Sequence, residues 1–166
     1  MDQKNSKKMD AEQALNEAFF NERLAFNLDL LNYKLSCFYN IDSSDAKRQF
    51  EYLTAFDSVI THLRAMFMEK GSKNYTLQNY FIRNGKQDIA QKIDQYLDGP
   101  FDAHEPQSIR TALRFISDKF VCHFDRATSI ELGKANCIMS ILSSPHSFIN
   151  LKKIVENLTK IITEEQ

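Results

Sequence analysis

Residues Ser108–Ile130, SIRTALRFISDKFVCHFDRATSI, decide the reading of the fold. Ile109, Leu113, Ile116, Phe120, Phe124 and Ala127 recur every three or four residues, the spacing that lines one face of an α-helix. At about 100° per residue the six fall in a stripe roughly 80° wide, which predicts one long helix with its apolar face on a core. Lys119, His123 and Arg126 follow at i, i+4 and i+7 and share a strip at the edge of that face. A histidine beside two cations is a candidate for proton transfer or anion binding. The same pattern also describes a packed histidine flanked by side chains that bury their stems and keep their charges in water.

The rest of the chain reads as helical too. With four Gly, three Pro and many good helix formers in 166 residues, breakers are too few for a turn-rich fold. A chain of this length suits one domain and buries roughly 70% of its extended surface. The expected fold is all-α: an antiparallel helical bundle with two long N-terminal helices, a short helical insert, the long motif helix and a C-terminal helix. Residues 1–9 read as a flexible tail and 10–166 as a single domain.

The first helix is expected from Ala11 to Tyr39, with Asp10 as its cap. It carries two apolar stripes: Phe19, Phe26, Leu30, Tyr33, Cys37 and Leu24, Leu28, Leu31, Leu35, Phe38. The second steps 4, 3, 4, 3, a coiled-coil-like seam. So wide a surface fits either a central helix or one shared with a second subunit. The second helix is expected from Asp45 to Lys70, with Phe50, Leu53, Ile60 and Phe67 on one face and Gly71 ending it. Asp57 and Arg64 fall within that face, where opposite charges must pair or face a cavity. Arg64 could there line a polar wall opposite His123. Tyr75–Arg83 and Lys86–Asp98 form the insert, and Phe101–Gln107 reads as a linker. Beyond Ala127 the pattern weakens, with Gly133 kinking the chain or separating a further segment at Lys134–Leu142. The last helix is expected over Pro145–Thr163, started by Ser144 and Pro145.

A formal net charge of −1 excludes a chain-wide basic footprint, so any nucleic-acid contact must be a local patch. Cys37, Cys122 and Cys137 lie inside apolar helical patterns without a CxxC pair, which predicts buried, reduced thiols in a cytoplasmic protein. No apolar run approaches the roughly 18 residues of a membrane span, and no secretory leader follows Met1. His62, His104, His123 and His146 are scattered, so neither a metal site nor a cofactor is expected. Phosphate loops, nucleophile elbows and HExxH pairs are absent from the sequence.

DKFVCHFD, Asp118–Asp125, resembles the signature of the HEPN superfamily (higher eukaryotes and prokaryotes nucleotide-binding). These are small all-helical domains, many of them metal-independent ribonucleases of toxin–antitoxin, CRISPR-linked and abortive-infection systems. The family pattern runs Arg, a polar residue, a short gap, then His, often followed by an aromatic residue and Asp. Asp118 stands for the polar residue, His123 for the histidine, and Phe124–Asp125 for the trailing pair. The motif's Arg would fall at Ser117 or close by. On a helix Arg114 lies about 180° from His123 and does not replace it. KNYTLQNYF, Lys73–Phe81, looks like the helical insert that precedes the motif helix in several HEPN groups. The resemblance spans Ala46–Ile130.

It implies a HEPN-like bundle in which His123 and Asp118 are catalytic and Lys119 and Arg126 hold RNA phosphate; Arg64, read from the pattern of the second helix, would supply in space the cation that the motif lacks in sequence. It also implies a homodimer with two motif helices face to face. Without the motif's Arg, a reading from a different class stands beside it. That reading is a non-catalytic helical binding module, such as an immunity protein, an antitoxin or the partner of a cognate toxin. The near-neutral charge and the wide Phe/Leu surface of the first helix fit it.

Overall fold

Leu24, Leu28, Leu31, Leu35 and Phe38 form the seam on which the bundle closes, and all five are buried. The computed structural model describes residues 3–42, 44–68, 76–101, 107–122 and 128–164, which form seven α-helices. α1 (Gln3–Tyr39) packs this seam against α2 (Gln49–Phe67). The two helices run antiparallel: the Phe38 ring meets Tyr52 and Phe56, while Leu24 and Asn27 lie near His62 and Met66. α1 begins at Gln3, ahead of the expected start at Ala11.

The other stripe of α1 lies outside the core. Phe19, Phe26 and Tyr33 are 61%, 64% and 67% exposed, and Leu30 and Cys37 are half-buried. The broad apolar surface therefore divides into one seam buried within the chain and one left on its outside.

Asp45 caps a short 3₁₀ turn, Ala46–Arg48, by accepting from the Lys47 N–H at 2.9 Å. α2 thus starts after the expected Asp45. Ile60 and Phe67 of the expected face are buried, with Phe56, Val59, Leu63 and Met66 buried beside them, and Leu53 is half-buried. Phe50 is neither. It stands 84% exposed, beside Leu30, Tyr33 and Cys37 in an open groove between α1 and α2.

The insert is a pair of short helices, α3 (Leu77–Arg83) and α4 (Gln87–Leu97). Gly85 turns the chain between them at φ 74°, a conformation that glycine adopts without a Cβ penalty. The stretch expected as a linker is tied to the body at both ends. Phe101 is buried, its N–H donates to the Gln107 carbonyl at 2.8 Å, and the Ile109 N–H donates to the Gly99 carbonyl at 3.0 Å. His104 and Pro106 lie outside the described residues.

The expected single helix over Ser108–Ile130 is replaced by three pieces. α5 (Ile109–Ile116) starts at Ser108, whose hydroxyl accepts from the Thr111 N–H at 3.1 Å. It widens into a π-turn over Ser117–Cys122. A new helix, α6 (Ser129–Ser143), then begins behind Thr128. Ile109, Leu113 and Ile116 of the predicted stripe are buried in the core. The Phe120 side chain, Phe124 and Ala127 lie outside the described residues.

The break has a local cause. The Thr128 hydroxyl accepts from the Glu131 N–H at 3.2 Å, and the Glu131 carboxylate accepts from the Thr128 N–H at 2.8 Å. This reciprocal capping box fixes a helix start there. Gly133 sits inside α6 and does not interrupt it.

α7 (Leu151–Thr163) begins later than the expected Pro145. Asn150 is its cap, accepting from the Lys153 N–H at 2.9 Å while its amide donates to the Ser144 carbonyl at 3.2 Å. Phe148 is left exposed. Leu151, Ile154, Val155, Leu158 and Ile162 complete the core. The cysteines depart from expectation as well. Cys37 is half-buried and Cys137 exposed, and the Cys122 side chain lies outside the described residues. No helix among the described residues is long and apolar enough to cross a membrane.

Candidate functional site

α2 carries Arg64 to the point where α5 opens into the π-turn. Arg64 Nη1 donates to Ser117 Oγ at 3.0 Å and, in a shorter contact, to Asp118 Oδ1. Ser117 is buried, so its hydroxyl needs a partner from within the protein. The Arg64–Asp118 ion pair is half-exposed. Ser117 is the position where the resemblance read from the sequence expects an arginine. A guanidinium is therefore in contact with that position after all, delivered by α2.

Arg64 does not pair with Asp57, its expected partner within the same face. Asp57 Oδ1 is buried without a hydrogen-bond partner, and burial pushes the carboxyl pKa up. Charges seven residues apart on one helix lie two turns, about 10 Å, from each other. Each must then find a partner on another element, and among the described residues only Arg64 does so through a recorded ion pair.

Lys119 follows Asp118 on the π-turn, and its ammonium pairs with Glu131 at 2.8 Å. Glu131 is held well below the usual carboxylate range, at about 2. The contact with Lys119 is the largest cause, followed by the backbone and hydroxyl donors of Thr128. This one carboxylate ties the π-turn to the start of α6. The charge expected to hold phosphate is matched here by an internal anion.

The predicted strip of Lys119, His123 and Arg126 assumed α-helical geometry. A π-turn bonds i to i+5 and takes up about one residue more per turn, so the angular register of α5 does not carry through Ser117–Cys122. His123 and Arg126 lie outside the described residues. Of the five candidates, Arg64 and Asp118 are brought together with Ser117, and Lys119 faces Glu131.

The sequence reading missed a second polar centre. Arg110 on α5 is buried. Its Nη2 lies 2.5 Å from Asp94 Oδ1 and its Nε 2.7 Å from Asp98 Oδ1. Its Nη1 donates to the Phe67 carbonyl at 3.3 Å, which also accepts from Gln78 Nε2 at 2.8 Å. Arg114, one turn on, donates to the Met68 carbonyl at 2.7 Å. The two arginines satisfy carbonyls at the end of α2, where a helix leaves them unpaired, and so fix the height of Arg64 against Ser117. The available signal was Asp94 on α4 and Asp98 four residues on, capping its C-terminal end.

No group of three or more His, Cys, Asp or Glu side chains among the described residues is placed to hold a metal ion. His62 is buried with Nδ1 unpartnered, and burial, with a smaller contribution from Lys34, lowers its pKa. In comparisons with known proteins, no family model, curated protein or solved structure matches this chain.

Proposed function

We propose that this chain is a HEPN-like helical protein that acts on RNA, a metal-independent endoribonuclease whose motif arginine is supplied by α2. The observation that carries the reading is the Arg64 guanidinium on the Ser117 hydroxyl and the Asp118 carboxylate. In the motif the arginine stabilises charge on the scissile phosphate, and a guanidinium does this from a neighbouring helix equally well if its position is fixed. Asp118 does the fixing. His123 moves a proton to or from an RNA 2′-hydroxyl or the leaving oxygen, a task suited to an imidazole that titrates near neutrality. Arg64, Arg126 and Lys119 form the phosphate clamp, with Arg64 positioned by Asp118 and Lys119 by Glu131.

The resemblance points to RNA-directed defence or toxin–antitoxin biology and to a homodimer, and the cysteine usage of the sequence to a reduced, cytoplasmic setting. A second reading, a non-catalytic binding module whose partner is an antitoxin or a cognate toxin, is favoured by the exposed Phe19, Phe26 and Tyr33. The two are separated by incubating purified wild type and His123→Ala with a mixed single-stranded RNA and tRNA pool in EDTA. The enzyme reading expects cleavage that falls roughly 100-fold or more in His123→Ala. A folded wild type that leaves the pool intact overturns it in favour of the binding module.

A further inference from the structure

The outer stripe of α1 carries more order than an exposed apolar surface needs. Phe19, Arg23, Phe26, Leu30, Tyr33 and Cys37 step 4, 3, 4, 3, 4, the spacing of a and d positions in a coiled coil, with the aromatic residues at d. Arg23, the charged member, lays its guanidinium over the Phe19 ring at 5.4 Å, which keeps its charge at the margin of the seam. On one flank, at the g positions, stand Glu22 and Asp29. On the other, at the e positions, stand Asn27 and Lys34.

We propose that this seam pairs in parallel with the same seam of a second copy of the chain. The flanking charges select the partner and the direction. Parallel helices bring the g flank of one against the e flank of the other, five residues on. Asp29 then meets Lys34 of the second copy, on both sides of the two-fold axis. Antiparallel pairing sets g against g and e against e, which opposes Glu22 and Asp29 to their own copies and Lys34 to its own. Lys34 in the single chain makes only a long 3.4 Å contact to the Ser58 carbonyl, so it gives up little by turning outward. The buried seam of α1 lies on a different face, and α2 borders the outer seam along the groove that Leu30, Tyr33 and Cys37 share with Thr54 and Ser58. Phe50 extends the apolar surface from α2.

The seam and its flanking charges carry the number of copies here, apart from any nuclease chemistry and from the face-to-face motif helices that the resemblance implies. α2 stands between α1 and the π-turn, packing on both, so separating the copies leaves the Arg64–Asp118 pair in place. Cleavage by a monomer would sink this pairing alone, and an inactive dimer would sink the nuclease reading alone.

The test is solution mass by light scattering, with circular dichroism as the folding control. Wild type is expected at twice 19.3 kDa, and Phe26→Asp at the monomer mass with unchanged helicity. Asp29→Lys is expected to weaken association at least tenfold, and Asp29→Lys combined with Lys34→Asp to restore it. Parallel in-register pairing also sets Cys37 beside Cys37 of the second copy. Mild oxidation by copper phenanthroline should therefore yield a covalent dimer that Cys37→Ser abolishes. A monomeric wild type, a dimer indifferent to Phe26→Asp, or a charge swap that fails to restore association would each overturn the proposal. A Cys37 pair that does not cross-link while Asp29→Lys tightens association would point to antiparallel pairing, and so overturn it too.

Discussion

The Arg110 centre makes a prediction about asymmetry. The Arg110 side chain is 6% exposed, whereas Asp94 and Asp98 are 49% and 57% exposed. Replacing the arginine leaves two carboxylates that water can reach. Replacing both carboxylates by amides leaves a buried cation with neutral acceptors and no counter-charge. Hydrogen bonds to charged groups contribute about 1.5–3 kcal/mol each, and a stranded buried charge costs about 3–5 kcal/mol. Arg110→Met, which keeps the packed stem, should thus cost about 2 kcal/mol, because the freed carboxylates recover hydration. Asp94→Asn with Asp98→Asn should cost about 4 kcal/mol. With a urea m-value of about 2 kcal/mol/M for a chain of this size, the midpoints fall by about 1 M and about 2 M. Equilibrium urea unfolding followed by circular dichroism measures both. If Arg110→Met costs as much as the double carboxylate variant or more, the argument from unequal burial is refuted.

Two further predictions concern pH. Glu131, depressed to about 2 by Lys119 and Thr128, stabilises the fold in full above the ordinary carboxylate value of 4.5. That contribution is lost as pH falls from about 4.5 to about 2. Glu131→Gln should remove this acid-sensitive part of the unfolding profile, and an unchanged acid limb of stability against pH would contradict it. Asp57 has the opposite sign. Its pKa is raised by burial, so its neutral form suits the fold, and stability declines as pH rises through the raised value. Asp57→Asn cannot ionise at this partly buried position and should therefore raise stability at pH 7. A thermal-shift series from pH 4 to 8 in which the variant never exceeds wild type would count against it.

Composition and periodicity were enough for an all-α bundle, because each core stripe is a property of one helix read alone. Leu24, Leu28, Leu31, Leu35 and Phe38 on α1, and Ile60 and Phe67 on α2, are buried as their spacing required. Periodicity failed where it met a different rule. The apolar pattern runs on past Ser117, but the Thr128–Glu131 capping box begins a new helix, and that short signal outweighed a stripe counted at constant pitch. Phe19, Phe26, Phe50 and Phe148 have core-like spacing and lie outside the core, since spacing tells which residues share a face but not whether anything covers it.

At the candidate site, Arg64 was visible as a charge misplaced in an apolar face. Its partner was not, because Asp118 is 54 residues away and only the antiparallel packing of helices brings the two together. Arg110 was missed for the same reason. Its carboxylates sit on α4, and nothing local on α5 marks a buried arginine.

The claim that Arg64 does the work of the absent motif arginine is tested most directly by moving the arginine back. RNA cleavage is measured in EDTA for wild type, Arg64→Ala, and Arg64→Ala combined with Ser117→Arg, each shown to be folded. The account predicts that Arg64→Ala loses roughly 100-fold or more in rate, as removal of one preorganised charge-stabilising group does. It predicts that the double variant regains most of that loss, because the new side chain fills the space the first one vacated. Cleavage by Arg64→Ala at the wild-type rate, or a double variant no better than the single one, would contradict it.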